Sequence, residues 1–182
     1  MRIIAGQFKG RRLKTPSWDD LRPTSDKLRE TLFNILAPRL DGARVLDAYA
    51  GTGAVGIEAL SRGAAHVTFI EQDRRAAALI ASNLAICGVK QGYTIECDDV
   101  ARSLRRMAQD VEFHLVLLDP PYDADAETVK QVLAAAAART AADGLLVLER
   151  ATRRVLGAPE TLRHIRDVVS GDSTLTMMQV KE

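Results

Sequence analysis

The sequence predicts an α/β fold, with a mostly parallel seven-stranded sheet, helices on both faces and a short N-terminal β-hairpin. From residue 43 onward, short runs rich in Val, Ile and Leu alternate with Ala-rich amphipathic stretches, which is typical of a parallel sheet covered by helices. In the C-terminal tail, two apolar runs flank Gly171-Asp172, and this arrangement predicts an antiparallel hairpin at the sheet edge. A length of 182 residues suits one domain with a proper core.

The elements follow in order along the chain. We expect residues 1–20 to form a basic arm or hairpin and residues 21–182 to form the main domain. Thr24 or Ser25 can cap a helix that continues to about Pro38, because apolar residues recur there at helical spacing. The strands are then expected at ARVLDA, HVTFIE, YTIEC, FHLVLLD, GLLVLER, LRHIRDVV and TLTMMQV, and the helices near residues 54–62, 73–87, 99–109 and 125–141.

The composition is that of a cytoplasmic globular protein. No apolar run approaches the roughly 20 residues that span a bilayer, and the N-terminus does not resemble a secretory signal. Cys87 and Cys97 lack a metal-type or CxxC spacing, which suits a reducing compartment. His66, His114 and His164 are scattered along the chain, so we expect no metal site.

Charge is distributed unevenly. Five of the 25 basic residues lie within the first 18 positions, which contain no acid, so the rest of the chain carries 20 bases and 24 acids. A basic arm on a mildly acidic body indicates a polyanionic partner, with Lys9, Arg11, Arg12 and Lys14 as candidate phosphate contacts. A solvated charged terminus explains the charge alone equally well.

A glycine motif follows the first predicted strand. In DAYAGTGAVG, Gly51 and Gly53 allow a tight turn at a helix start, and Glu71 stands twenty residues after Gly51, where a carboxylate can accept from ribose hydroxyls. The glycines could also serve only the turn and helix packing. Asp47 is awkward beside a pyrophosphate but suits a cofactor with an ammonium and a sulfonium, which indicates S-adenosylmethionine. Asp99, rather than the competing Asp98, is the candidate acceptor for the adenine amino group, although either could merely cap the next helix.

The stretch LVLLDPPYD predicts the catalytic tip. An exocyclic amine is a poor nucleophile because its lone pair is delocalised into the ring. The Asp119 carboxylate and the Pro120 carbonyl can accept its two hydrogens, and the Tyr122 ring offers a stacking face. Direct S_N2 transfer of a methyl group to a flipped-out base would then depend on positioning and electrostatics. An acid capping a proline-stiffened loop is the structural alternative.

These motifs resemble the RsmD family of bacterial methyltransferases that modify guanine N2 in 16S ribosomal RNA. The similarity lies in VLDAYAGTGAVGIEALSRGA, FIEQD, LLDPPYD and the N-terminal RIIAGQFKGRRLKTP and RPTSDKLRETLFNIL. It implies a Rossmann-like class I methyltransferase fold, a monomer, and 16S rRNA or a partly assembled small subunit as partner. It also implies that Arg22 and Thr24 lie over the cofactor pocket or along the RNA path, Thr24 being a candidate cofactor contact and Arg22 an RNA contact. Glu58 and Arg62 match the motif but suit a structural role as well.

Three rival functions remain open at this point. An adenine-N6 methyltransferase on DNA or RNA is nearest, because the DPPY motif does not distinguish the two amines. An NAD-dependent oxidoreductase fits the glycine motif but fits Asp47 badly. A non-catalytic RNA-binding module would have no need of an intact cofactor pocket and DPPY tip.

Overall fold

The sheet and helices occur where the alternating pattern predicts them. The computed structural model describes residues 1–16, 26–154 and 156–181. Its helices are α1 (Asp26–Leu36), α2 (Ala54–Ser61), α3 (Arg74–Ile86), α4 (Val100–Arg106) and α5 (Ala126–Ala137), with a short 3₁₀ helix at Ala37–Arg39. Its strands are β1 (Arg44–Ala48), β2 (His66–Ile70), β3 (Tyr93–Glu96), β4 (Phe113–Leu118), β5 (Thr140–Ala151), β6 (Leu162–Ser170) and β7 (Ser173–Val180).

The strand order creates a crevice beside β1. The seven strands run in the order β3-β2-β1-β4-β5-β7-β6; β1 to β5 are parallel, and β7 is antiparallel to both β5 and β6. The chain moves outward from β1 to β3 and then crosses to the other side of β1 to form β4. Ligands of such sheets bind beyond the carboxyl ends of the strands at this switch point, so the topology fixes where the site must lie.

The sheet is buried on both faces, which explains the continuous apolar runs of its central strands. In β4, Leu115 and Leu117 pack into one core layer, while Val116 and Leu118 pack into the layer on the opposite face. This alternation is the ordinary period of a strand. Each such side chain stabilises the fold by about 1.5–3 kcal/mol when it is fully buried, so both layers hold β4 in place beneath the predicted catalytic tip.

The boundary between α5 and β5 differs from the prediction. The sequence indicates a helix to residue 141 and a strand from residue 144, whereas α5 ends at Ala137 and β5 already begins at Thr140. Thr140 pairs with Phe113 in β4, and the register then shifts before Leu115 pairs with Leu145. Alanine is a strong helix former, so the Ala-rich run gave no signal for this tertiary pairing.

The N-terminal arm is a short hairpin-like segment that lies against the main domain. Arg2 and Arg12 form an isolated antiparallel bridge, and Ile3 and Leu13 are buried in the core. The backbone N–H groups of residues 4 and 5 donate to the buried Glu58 carboxylate at 2.7 and 2.9 Å. The arm is therefore joined to the core by apolar residues and to α2 by hydrogen bonds. The predicted domain boundary at residue 20 lies outside the described residues.

Candidate active site

A cleft of about 910 Å³ opens at the carboxyl ends of the parallel strands. Its walls come from the loop after β1, the end of β2, the segment after β4, and the β5 and β7 strands. Six of the side chains and turns singled out in the sequence line it together: Asp47, Gly51, Glu71, Asp119, Pro120 and Tyr122. The two motifs, whose Gly51 and Asp119 are 68 residues apart in the chain, thus share one cavity.

The glycine loop has the tight geometry that the motif predicts. Gly51 and Gly53 have φ values of +55° and +75°, and Gly53 is the residue that precedes α2. A Cβ on Gly53 would stand 3.0 Å from Ile80, so the loop also approaches α3 closely. Glu71 accepts a hydrogen bond from the Gly51 N–H at 2.8 Å and lines the cleft. This carboxylate therefore shapes the loop as well as facing the ligand space.

Asp47 lies at the floor of the cleft. Its side chain is only 5% exposed, and it accepts a hydrogen bond from the Gly56 N–H of α2 at 2.8 Å. Burial raises the pKa of Asp47 to about 7; the Gly56 N–H opposes this shift, and the nearby charge of Glu71 adds to it. A carboxylate held in this way gains from a cation placed beside it, which fits a ligand carrying an ammonium group.

The raised pKa of Asp47 predicts a pH-dependent stability. Native Asp47 holds its proton at pH values where the unfolded chain, with a usual pKa of 3.8, has lost it. This contribution to stability is complete below about pH 4 and is lost as the pH rises through about 7. We expect the free energy of unfolding of the ligand-free protein, relative to that of Asp47→Asn, to fall by up to about 4 kcal/mol across this range. Urea unfolding of both proteins at several pH values measures the difference, and parallel curves would contradict it.

The third acid predicted for the cofactor lies beside the cleft. Asp99 accepts from the Arg102 N–H at 2.9 Å as the N-cap of α4, while Asp98 lies within salt-bridge distance of Arg102 and Arg106. Tyr49, which lines the cleft with an unusual φ of +64°, has its pKa raised to about 12 by burial and by the charge of Asp99. The charge of Asp99 therefore reaches a residue of the cleft wall, and its contact with adenine stays a prediction.

The segment after β4 presents the predicted catalytic tip. Asp119 directly follows the last buried residue of β4, and its N–H lies 3.5 Å from the Ala48 carbonyl. Tyr122 is 44% exposed, although its hydroxyl hydrogen-bonds with that of Ser173 at 3.0 Å. The Arg154 guanidinium donates to the backbone carbonyl of Tyr122 at 2.7 Å and to that of Ala124. Three hydrogen bonds from two residues on the β5–β7 side, Ser173 and Arg154, thus brace the tip.

Sequence reasoning missed the residues that brace the tip. Glu149 is 9% exposed, lines the cleft and accepts from the Ser173 hydroxyl at 3.1 Å. Glu149 lies within the predicted strand GLLVLER, whereas site residues were expected just after the end of each strand. A charge directly after four buried apolar residues of β5 was the available signal. Nothing local marked Ser173 or Arg154, whose partners are 24 or more residues away.

The candidate RNA contacts of the arm fall into two groups. All four side chains are exposed. Arg11 donates to the Ile86 carbonyl at 2.8 Å and Lys14 to the Ser82 hydroxyl at 3.0 Å, so both contact α3. Lys9 and Arg12 make no side-chain hydrogen bond or ion pair within the described part of the chain. The remaining two predicted contacts, Arg22 and Thr24, lie outside the described residues.

The described residues contain neither a membrane-spanning helix nor a metal-binding cluster. In the described ranges, no helix combines the length and the apolar character that crossing a bilayer requires. The same residues contain no group of three or more His, Cys, Asp or Glu side chains suited to a metal ion. The predicted lack of a metal stays a prediction.

Comparison with known proteins identifies the family. The family model described as Conserved hypothetical protein 95 matches residues 1–179. Ribosomal RNA small subunit methyltransferase D of Escherichia coli is 46% identical over 123 residues, which are 67% of this chain and 60% of that protein. YlbH of Bacillus subtilis, provisionally named an rRNA methyltransferase, is 42% identical over 123 residues, or 67% of each chain.

A solved structure gives the same result over the full length. The E. coli protein yhhF, provisionally named a methyltransferase, superposes with a TM-score of 0.86 at 30% identity and covers 100% of this chain and 98% of its own. The predicted Rossmann-like methyltransferase fold is confirmed, and so is the predicted cofactor, S-adenosylmethionine. The chain therefore belongs to the Conserved hypothetical protein 95 family, and its resemblance to the RsmD methyltransferases is confirmed.

Proposed function

We propose that this protein transfers a methyl group from S-adenosylmethionine to the exocyclic N2 amine of a guanine in 16S ribosomal RNA. The observation that carries this proposal is the single cleft in which the glycine-loop acids and the Asp119–Tyr122 tip face the same space. The name of the E. coli relative, a small-subunit rRNA methyltransferase, supports ribosomal RNA as substrate. Such a substrate implies action in the cytoplasm, and we expect a monomer.

The residues around the cleft floor fit the cofactor. When bound, S-adenosylmethionine supplies an electrophilic methyl carbon on a positively charged sulfur. The Asp47 carboxylate, buried at the floor, complements the positive charge, and the Gly51 turn allows close approach to the backbone. Glu71 can accept from the ribose hydroxyls and Asp99 from the adenine amino group, while Thr24 is the further contact implied by the family.

The tip supplies the chemistry at the acceptor amine. Asp119 and the Pro120 carbonyl accept the two amine hydrogens, which favours a pyramidal nitrogen whose lone pair faces the methyl carbon. The Tyr122 ring offers the stacking surface for the flipped base; its hydroxyl is hydrogen-bonded to Ser173, and Arg154 donates to its backbone carbonyl. With S-adenosylmethionine bound, the nitrogen–carbon bond would form as the carbon–sulfur bond breaks, and the electron pair of that bond would stay on sulfur. The nitrogen then loses a proton, for which the Asp119 carboxylate is the adjacent acceptor.

RNA binding in this proposal involves the N-terminal arm. Lys9 and Arg12, whose side chains extend into solvent, would contact phosphates directly. Arg11 and Lys14 would contribute charge while they hold the arm on α3, and Arg22 is the further contact implied by the family. Phosphate contacts position the RNA without reading its sequence, so the choice of base must come from the cleft.

The first test is tritium transfer from labelled S-adenosylmethionine to 16S RNA, both naked and in partly assembled 30S particles, followed by nucleoside analysis. We expect the label in N2-methylguanosine. Label in N6-methyladenosine would keep the mechanism of the tip but overturn guanine as the target. No label in either substrate, with cofactor binding intact, would overturn ribosomal RNA methylation and direct attention to DNA or to a non-catalytic RNA-binding role.

A further inference from the structure

Glu149 is the second carboxylate at the tip of the sheet. Leu118 of β4 is in register with Leu148 of β5, so the next position on each strand holds Asp119 and Glu149. Adjacent strands lie about 4.8 Å apart, which places these two residues side by side at the same edge. Both line the cleft.

The two carboxylates also share a face of the sheet. Leu118 and Leu148 pack into one core layer, whereas Leu117 and Val147 pack into the other. Because successive side chains alternate, the residues after Leu118 and Leu148 point to the same face as Leu117 and Val147. Leu175 of β7, which pairs with Glu149 of β5, packs into the same core layer as Leu117 and Val147.

A hydrogen bond from Ser173 links Glu149 to the tip. The Ser173 hydroxyl donates to Glu149 at 3.1 Å and also contacts the Tyr122 hydroxyl at 3.0 Å. The carboxylate is thereby tied to the ring on which a base would stack. Each carboxylate oxygen accepts more than one hydrogen bond, so the contact with Ser173 is compatible with a second donor from a ligand.

The edge of the base next to the reacting amine distinguishes guanine from adenine. In guanine the ring nitrogen beside the N2 amine carries a hydrogen and donates. In adenine the ring nitrogen beside the N6 amine is an acceptor. With the amine held at Asp119, a carboxylate on the neighbouring strand attracts the ring N–H of guanine and repels the ring acceptor of adenine, and a hydrogen bond to a charged group discriminates strongly between the two bases.

We infer that Glu149 is the specificity-determining residue of this site, and that its carboxylate accepts the ring N1–H of guanine while Asp119 holds the adjacent amine. The inference rests on the proposed function, because it assigns the choice of base for that same reaction. It also accounts for a buried acid at a position where packing alone would favour an apolar residue.

The test compares two substrates with two enzymes. 16S RNA is prepared with 2-aminopurine in place of the methylated guanine; this base keeps the 2-amino group but has an acceptor at N1. We expect wild-type enzyme to prefer guanine by at least about tenfold in kcat/KM, since one hydrogen bond to a charged group is lost. In Glu149→Gln, whose amide can donate to an N1 acceptor, the preference should shrink by about tenfold or more.

A merely structural role predicts a different pattern. Loss of support for the tip would lower kcat/KM for both substrates by the same factor and leave their ratio unchanged. Ser173→Ala is the matched control, because it unties Glu149 from Tyr122 while keeping the carboxylate, and its preference should stay within about threefold of that of wild type. An unchanged ratio in Glu149→Gln would overturn the inference, as would a wild-type enzyme that treats both bases alike, a result that needs no variant to fold. Either of these results would leave the proposed function intact. The proposed function itself fails only if the wild-type enzyme places no methyl group on guanine.

Discussion

Asp119→Asn is expected to lower kcat for methyl transfer by on the order of 10³-fold while leaving cofactor affinity nearly unchanged. The substitution keeps the shape of the side chain but removes the negative charge, and half of its polar end becomes a hydrogen-bond donor facing the amine hydrogens. Losing one preorganised electrostatic partner costs about 10²–10³-fold in well-studied sites, and misplacing the lone pair adds to that loss. Single-turnover transfer to 16S RNA and a separate titration of S-adenosylmethionine measure the two quantities.

Asp123→Asn is the matched control for charge. Asp123 lies four residues further along, also at the mouth of the cleft, and its side chain is exposed. The Asp123→Asn variant loses the same charge, but at a position away from the proposed amine contacts. Its kcat should therefore stay within about threefold of that of wild type. An equal loss of kcat in both variants would show that the negative charge of the whole loop matters, and not a direct contact between Asp119 and the amine.

The central sheet could be read from the sequence because its signals are local. Strands buried on both faces must be apolar at nearly every position, and β4, in which only His114 is polar, shows this plainly. The glycine turn after β1 follows from the same logic, since the positive φ values at Gly51 and Gly53 leave few alternatives to glycine. The crossover from β3 to β4 places β4 beside β1, so that both motifs lie at one edge of the sheet.

The contacts that complete the site have no such local signal. Glu58 matches a motif, yet its buried carboxylate holds the backbone of residues 4 and 5 and the Arg62 side chain, which lies 2.7 Å away. Its partners in the arm are more than 50 residues distant in the chain. Glu149 and Ser173 likewise meet only because β7 folds back beside β5. In the sequence, each of these residues has many possible partners. Their contacts can therefore be assigned only when the topology is known.

Gly6→Ala is expected to detach the N-terminal arm from α2. Gly6 has a φ of +81°, and a Cβ at this position would stand 1.8 Å from the backbone oxygen of Ser61. That oxygen accepts from the Gln7 N–H at 2.7 Å, so neither the arm nor the end of α2 can move away without breaking this hydrogen bond. Displacement would expose Ile3 and separate Glu58 from its backbone donors, which should lower the free energy of unfolding by about 4–5 kcal/mol.

Gly10→Ala separates the clash from the backbone conformation. Gly10 has nearly the same φ, +82°, but a Cβ there meets nothing within 4 Å. It should therefore lose only the 1–2 kcal/mol or so that a left-handed alanine costs. Urea unfolding gives both values, and limited trypsin digestion after Lys9, Arg11 and Arg12 reports on the arm directly. We expect rapid cleavage only in Gly6→Ala, together with weaker RNA methylation at unchanged cofactor affinity, and this result would link RNA binding to the docked arm. Equal behaviour of the two variants would mean that the close approach of Gly6 to Ser61 does not hold the arm in place.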